Sequence, residues 1–179
     1  MLITPFGFPS PAVEPPAKLL PWLTHRQSLT EKLKAITSGV RLQVLMQQWG
    51  WRGWWDNYIL HLNSGRVLHR EIVMKVGEEA CWYGRTILPE KTYQHNAALF
   101  KRLQNESLGQ LIFGANNIER ISLVYYPITP KVIEYHWLDA ALHHGAPALW
   151  GRLAEFIVCD HFPFYLLEIL LPGLNQYLE

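Results

Sequence analysis

With only two cysteines, Cys81 and Cys159, the 179-residue chain can build neither a disulfide framework nor a four-cysteine zinc site. Charge of one sign is also missing. Sixteen Lys and Arg stand against fifteen Asp and Glu, a formal charge of +1, without the basic excess that drives counterion release on a phosphate backbone, so nucleic acid is not expected as a partner. No apolar run approaches the roughly 20 residues that span a bilayer. The most apolar stretch, 162–171, is broken by Pro163 and Glu168 and is expected in a core, which argues against stable membrane insertion. The first eight residues lack the basic segment of a signal peptide, and a cytoplasmic protein with reduced thiols is the expectation. Glycine-rich phosphate loops, nucleophile elbows and metalloprotease helix motifs are absent. His143 and His144 are adjacent, so a helix would not turn both rings toward one metal.

What is present is enough apolar material, 49% of residues, for one sizeable core. Six of the twelve prolines fall in the first 21 residues, which marks 1–20 as an extended proline-rich arm and 21–179 as a single domain. Ser28 followed by Glu31 is a capping pattern, and Leu29, Leu33 and Ile36 recur at helical spacing, predicting a helix at 29–37. From Val40 the period falls to two, apart from Leu45, which predicts a half-buried strand. Trp49, Trp51, Trp54 and Trp55 follow; aromatic packing around a strand end is favoured over a stacking platform or a docking surface. Strands are expected at 55–61, 67–76 and 81–88, the last two joined by Gly77-Glu78-Glu79, with a turn at Asn63-Ser64-Gly65. Pro89 ends this run, a helix over Ala97 to Leu103 is closed by Asn105, and a helical turn follows at 108–113. Two final strands, 152–159 and 164–171, flank a turn at 160–163. Tight turns between neighbouring strands favour α+β, a single antiparallel sheet with helices on one face.

Two charges break the apolar pattern. Alternation along 67–76 puts Arg70 on the face of Leu68, Ile72 and Met74, with Glu71 and Lys75 on the opposite, solvent side. Glu168 lies among Leu166, Leu167, Ile169 and Leu170, so neither side of its strand is wet. Burying either charge costs several kcal/mol unless a partner compensates. Two arrangements remain open: Arg70 and Glu168 pair with each other, or they line a cavity for a small anion, with Arg70 gripping a carboxylate and Glu168 handling a proton. Both cysteines, flanked by apolar residues in predicted strands, are expected to be buried and inert.

The segment from Leu68 through Pro89, with Arg70-Glu71-Ile72 and Gly84-Arg85-Thr86-Ile87-Leu88-Pro89, resembles the chorismate pyruvate-lyase family of ubiquinone biosynthesis. Ser28-Leu29-Thr30, Leu108-Gly109 with Leu111-Ile112-Phe113, and Leu149-Trp150-Gly151-Arg152 leading to Glu168-Ile169-Leu170-Leu171-Pro172 match in the same order. The resemblance implies an internal ligand cavity under flap segments, release of pyruvate from chorismate to leave 4-hydroxybenzoate, no cofactor or metal, and a monomer. It places the carboxylate-binding arginine on Arg70, the catalytic glutamate on Glu168, and the pocket and lid positions of the flaps on Leu29 and Leu108. Ser107 stands where the family often has proline, and 123–148 is longer than usual there, suggesting an elaborated loop with a short helix near 138–142. The alternative is a noncatalytic domain of the same fold that binds a small aromatic acid. Against its use as a regulator, the first 20 or so residues are too rich in proline for a DNA-binding helix-turn-helix.

Overall fold

The computed structural model describes residues 13–63, 65–104 and 106–178, and its frame is a six-stranded antiparallel sheet. In chain order the strands are β1 (Val40–Trp51), β2 (Arg66–Val76), β3 (Glu79–Pro89), β4 (Ile118–Ile128), β5 (Leu149–Val158) and β6 (Phe162–Leu170). Their spatial order is β1-β2-β3-β6-β5-β4, so the last strand lies between the β1-β2-β3 meander and the β5-β4 pair, bonded to β3 on one side and β5 on the other. This is the expected α+β class. The two-turn helix α2 (Leu29–Ile36) begins where the capping pattern puts it: Ser28 Oγ accepts a hydrogen bond from the Glu31 N–H at 3.3 Å. A shorter helix, α6 (Leu108–Ile112), is capped the same way, Ser107 Oγ accepting from the Gln110 N–H.

One sheet face carries the alternating set Leu68, Arg70, Ile72 and Met74 of β2. Over it lie α1 (Leu20–Leu23), α2, α4 (Glu90–His95), α5 (Ala97–Phe100) and α6, which close two apolar clusters, one around Trp22, Leu29, Leu33 and Trp82, the other around Leu88, Phe100, Leu103 and Phe164. The opposite face, from Val67 and Val73 to Tyr83, Leu153 and Ile169, is covered by α3 (Trp54–Tyr58), a 3-10 turn at 133–137 and α7 (Ala140–His143). A polar network pins that cover down. Trp55 Nε1 donates to Glu134 Oε1 at 2.8 Å, His69 bonds Asp56 at 2.9 Å, and the Arg85 guanidinium bridges Glu71 at 3.1 Å while lying over the Trp137 ring. Glu71 therefore sits beneath a second layer of chain instead of facing solvent.

The expected strand at 55–61 is a helix instead. The Asp56 carboxylate accepts from the Gly53 N–H at 2.7 Å, starting α3, and its pairing with His69 holds that helix against β2. The expected loop from 123 begins as strand: β4, eleven residues long, pairs with β5 and accepts Pro127 because it lies at the sheet edge. Only beyond Ile128 does the chain become the irregular stretch with a short helix that the sequence suggests. Of the tryptophans, Trp55 is core and Trp49 packs edge-on against Tyr93, whereas Trp51 is 74% exposed and Trp54 stacks on the exposed Tyr58. Cys81 is buried as expected, and burial pushes its thiol up to about 11. Cys159 is exposed, at positive φ in the turn joining β5 to β6. The expected arm falls partly, and the turn residue Ser64 and the helix stop Asn105 fall wholly, outside the described residues. From Ala17 the chain turns into α1, with Pro21 in its first turn, where a missing N–H costs nothing.

Candidate functional site

Cross-strand register gathers the charged residues. Ile72 of β2, Gly84 of β3, Glu168 of β6 and Arg152 of β5 form one row across the sheet, and Arg70, Thr86, Leu166 and Ala154 form the next. Arg70 and Glu168 therefore lie two strands apart and two residues out of step, which at strand spacings of about 4.8 Å and a rise of about 3.4 Å per residue separates their Cα atoms by roughly 12 Å. Gly84 fills the gap with no side chain; a Cβ there would approach the Ile72 side chain to 3.1 Å.

Both charges are buried, Arg70 at 2% and Glu168 at 8% exposure, and they are not each other's partner. Arg70 Nε donates to Gln47 Oε1 at 3.1 Å, and its Nη2 donates to the Glu106 carbonyl, just ahead of α6, at 3.1 Å. Burial lowers its guanidinium to about 10, which leaves it cationic at neutral pH. Glu168 is held by Arg152: Nε and Nη2 both reach Oε2 at 2.6 Å, and Nη1 donates to the carbonyls of Trp22 and His25. Among the described residues the other carboxylate oxygen accepts no hydrogen bond.

Arg70 and Glu168 line one cavity of about 30 Å³ with Thr30, Ile72, Trp82 and Leu108. A second compartment of about 30 Å³ shares Thr30, Gly109, Leu166 and Glu168 with it and adds Leu29, Phe113, Arg120 and Arg152. Leu29 and Leu108 are each the first residue of a serine-capped helix, and the two helix starts touch: a Cβ on Gly109 would lie 2.6 Å from Ser28 Oγ. A cavity that takes a benzene ring measures about 150 Å³, so an aromatic guest has to lift these flaps.

Arg70, Glu168, Leu29 and Leu108, singled out from the sequence, thus surround a chamber of two compartments that share a wall. Arg152 and Gln47 were not foreseen as part of it. The signal for Arg152 was present, since it shares an apolar stripe with Trp150, Ala154 and Phe156, the same anomaly that exposes Arg70. A strand begun at 152 hides it.

The chorismate lyase family model matches residues 8–173. Curated relatives named probable chorismate pyruvate-lyase include one from Nitrosomonas europaea, 26% identical over 94% of both chains, and one from Aromatoleum aromaticum, 30% identical over 83% of this chain and 80% of the relative. Among solved structures, a GntR-family transcriptional regulator from Bacillus cereus superposes with a TM-score of 0.55 at 14% identity, covering 75% of this chain and 93% of that one. The C-terminal domain of a histidine utilization repressor from Pseudomonas syringae gives 0.53 at 14% identity, covering 75% and 92%. These likenesses carry the fold alone, whereas the match along nearly the whole sequence carries kinship: the chain belongs to the chorismate lyase family.

Proposed function

We propose that the protein is a chorismate pyruvate-lyase that eliminates pyruvate from chorismate and leaves 4-hydroxybenzoate for quinone biosynthesis, without a cofactor. The observation that carries the reading is the pair of buried, opposite charges that face one chamber without touching. Arg70 has only neutral acceptors among the described residues; a buried cation without a counter-ion costs several kcal/mol, which a bound carboxylate offsets, while a hydroxyl at the far end of the same ligand satisfies the open oxygen of the Arg152-paired Glu168. Arg70 holds the ring carboxylate. The free oxygen of Glu168 accepts from the C4 hydroxyl, while Arg152 fixes the plane of the carboxylate. Leu29 and Leu108 cover the ring and exclude water.

Aromatisation supplies the driving force, so orientation is the main task of the protein. The C4–H electron pair becomes the C3–C4 double bond of the new aromatic ring, and the C3–O pair leaves with the enolpyruvyl oxygen. The C4 hydrogen passes to the departing methylene, which gives pyruvate directly. Glu168 positions the ring for this transfer and acts as an acceptor. Glu168→Gln keeps an acceptor and should retain more turnover than Glu168→Ala; equal loss in the two would instead make Glu168 the base.

The test is purified protein with chorismate in chelator-treated buffer, with pyruvate and 4-hydroxybenzoate followed together. Equal appearance of both above the uncatalysed rate is expected, with Arg70→Ala weakening product binding as well as turnover. Neither product appearing, while 4-hydroxybenzoate still binds, would refute the lyase and leave a binding domain. Full activity in Glu168→Ala would remove its assigned role.

A further inference from the structure

Strand β4 slips register once. Its pairing with β5 runs Tyr125 opposite Arg152 and Leu123 opposite Ala154, then shifts between Arg120 and Ser122, so that Arg120 stands opposite Phe156. In a regular strand Ile121 would continue the inward row of Tyr125 and Leu123. The extra residue turns Ile121 outward, 49% exposed, and aims Arg120 at the chamber in its place.

There Arg120 lines the second compartment with Arg152 and Glu168, and its other side borders an open groove of about 370 Å³ formed with Thr24, Arg26 and Tyr125. Its Nη2 donates to the Arg26 carbonyl, and no salt bridge to it forms among the described residues. Glu168 is already bonded to Arg152, so two guanidinium groups face one carboxylate in this compartment. The surplus of positive charge registers on its neighbours. Burial and then Arg152 lower the Arg120 guanidinium against the opposing pull of Glu168, and His25 is held below its usual value by burial, Lys32 and both arginines.

We infer that Arg120 binds the second carboxylate of the substrate, the one on the enolpyruvyl arm. This rests on the lyase reading. Chorismate carries two carboxylates, and the cavity around Arg70 offers a cation for the first alone among its described lining residues. Arg70 and Arg120 lie four strand spacings of about 4.8 Å apart and one side-chain row out of step, roughly 20 Å between Cα atoms, and each lines a compartment that Glu168 shares. Glu168, shared by both compartments, then stands beside the bond that breaks, and pyruvate is released next to the groove.

The test compares wild type, Arg120→Gln and Arg120→Lys in steady-state turnover of chorismate and in competitive inhibition by 4-hydroxybenzoate, which lacks the second carboxylate. Loss of a charge-assisted bond should lower kcat/KM for chorismate about tenfold or more in Arg120→Gln, while 4-hydroxybenzoate inhibition stays within about twofold. Arg120→Lys keeps the charge and a donor for the Arg26 carbonyl, and should recover part of the loss; it serves alone if the glutamine variant does not fold. Chorismate kinetics within about twofold of wild type in both variants would overturn the inference, as would equal weakening of chorismate and 4-hydroxybenzoate, the mark of a merely structural arginine. Failure of the wild type itself to release pyruvate would instead refute the lyase reading and take this subsite with it.

Discussion

Replacing Arg152 by methionine strands a carboxylate beneath the flaps. Arg152 is 4% exposed, and its loss removes both 2.6 Å contacts on Glu168 Oε2 as well as the donor to the Trp22 and His25 carbonyls. Breaking a buried ion pair from one side costs about 3–5 kcal/mol, because the remaining charge keeps its desolvation penalty. The two stranded carbonyls push the cost toward the upper end. In a chain of this size each kcal/mol moves Tm by about 2–4 °C, so the drop should be roughly 6–20 °C. Replacing Glu168 by methionine as well removes the stranded charge, and the double variant should be the more stable of the two by at least about 2 kcal/mol. Urea unfolding at pH 7 followed by circular dichroism, with all four members of the cycle, measures this. A cycle that closes within about 0.5 kcal/mol would show that the two side chains are not coupled, and the account of how Glu168 is held would fall.

Gly109→Ala would force the two flap starts apart, because its Cβ would lie 2.6 Å from Ser28 Oγ; 4-hydroxybenzoate should dissociate several times faster in stopped-flow fluorescence, and an unchanged rate would count against the flaps as the barrier. Burial raises the Asp56 carboxyl, but the hydrogen bond from His69 and that from the Gly53 N–H outweigh it, so the folded-state value lies below 3.8. A depressed acid stabilises the fold above its unfolded value and loses that contribution as pH falls through the folded one. Asp56→Asn should therefore lie well below wild type in urea at pH 7 and converge on it below about pH 3.8; a gap independent of pH would refute this. Trp55→Phe removes the indole donor to Glu134 and should cost about 1–3 kcal/mol in the same assay, and an effect below about 0.5 kcal/mol would show that the second-face cover does not depend on it.

The central hairpins were legible because their residues alternate without interruption: once β2 is read at period two, Arg70 has nowhere to point but inward. Glu168 stood out for a different reason, as a charge in a run that is apolar on both sides. Both readings located the residues, but neither could reveal partners. That Glu168 belongs with Arg152, and Arg70 with Gln47 and the Glu106 carbonyl, depends on which strands become neighbours, a fact the local pattern does not contain. β4 escaped because an edge strand with a bulge and a proline loses its alternation. At α3 the aromatic run Trp54-Trp55 reads as strand, and a long-range contact between Asp56 and His69 decides otherwise.

The placement of β6 between β3 and β5 bears on how the chain acquires its site. Each hairpin can close locally, but the pairing of Trp82 with Leu170 joins residues 88 apart in sequence (170 − 82), and Arg70 and Glu168 are separated by 98 (168 − 70). Contacts of such high order are slow to form, because the entropy of closing the intervening loop is lost before any burial compensates. The chamber lacks its Glu168 and Arg152 wall until the C-terminal hairpin docks along β3. A nascent chain halted before β6 would expose β3 as an unpaired edge open to association with other chains.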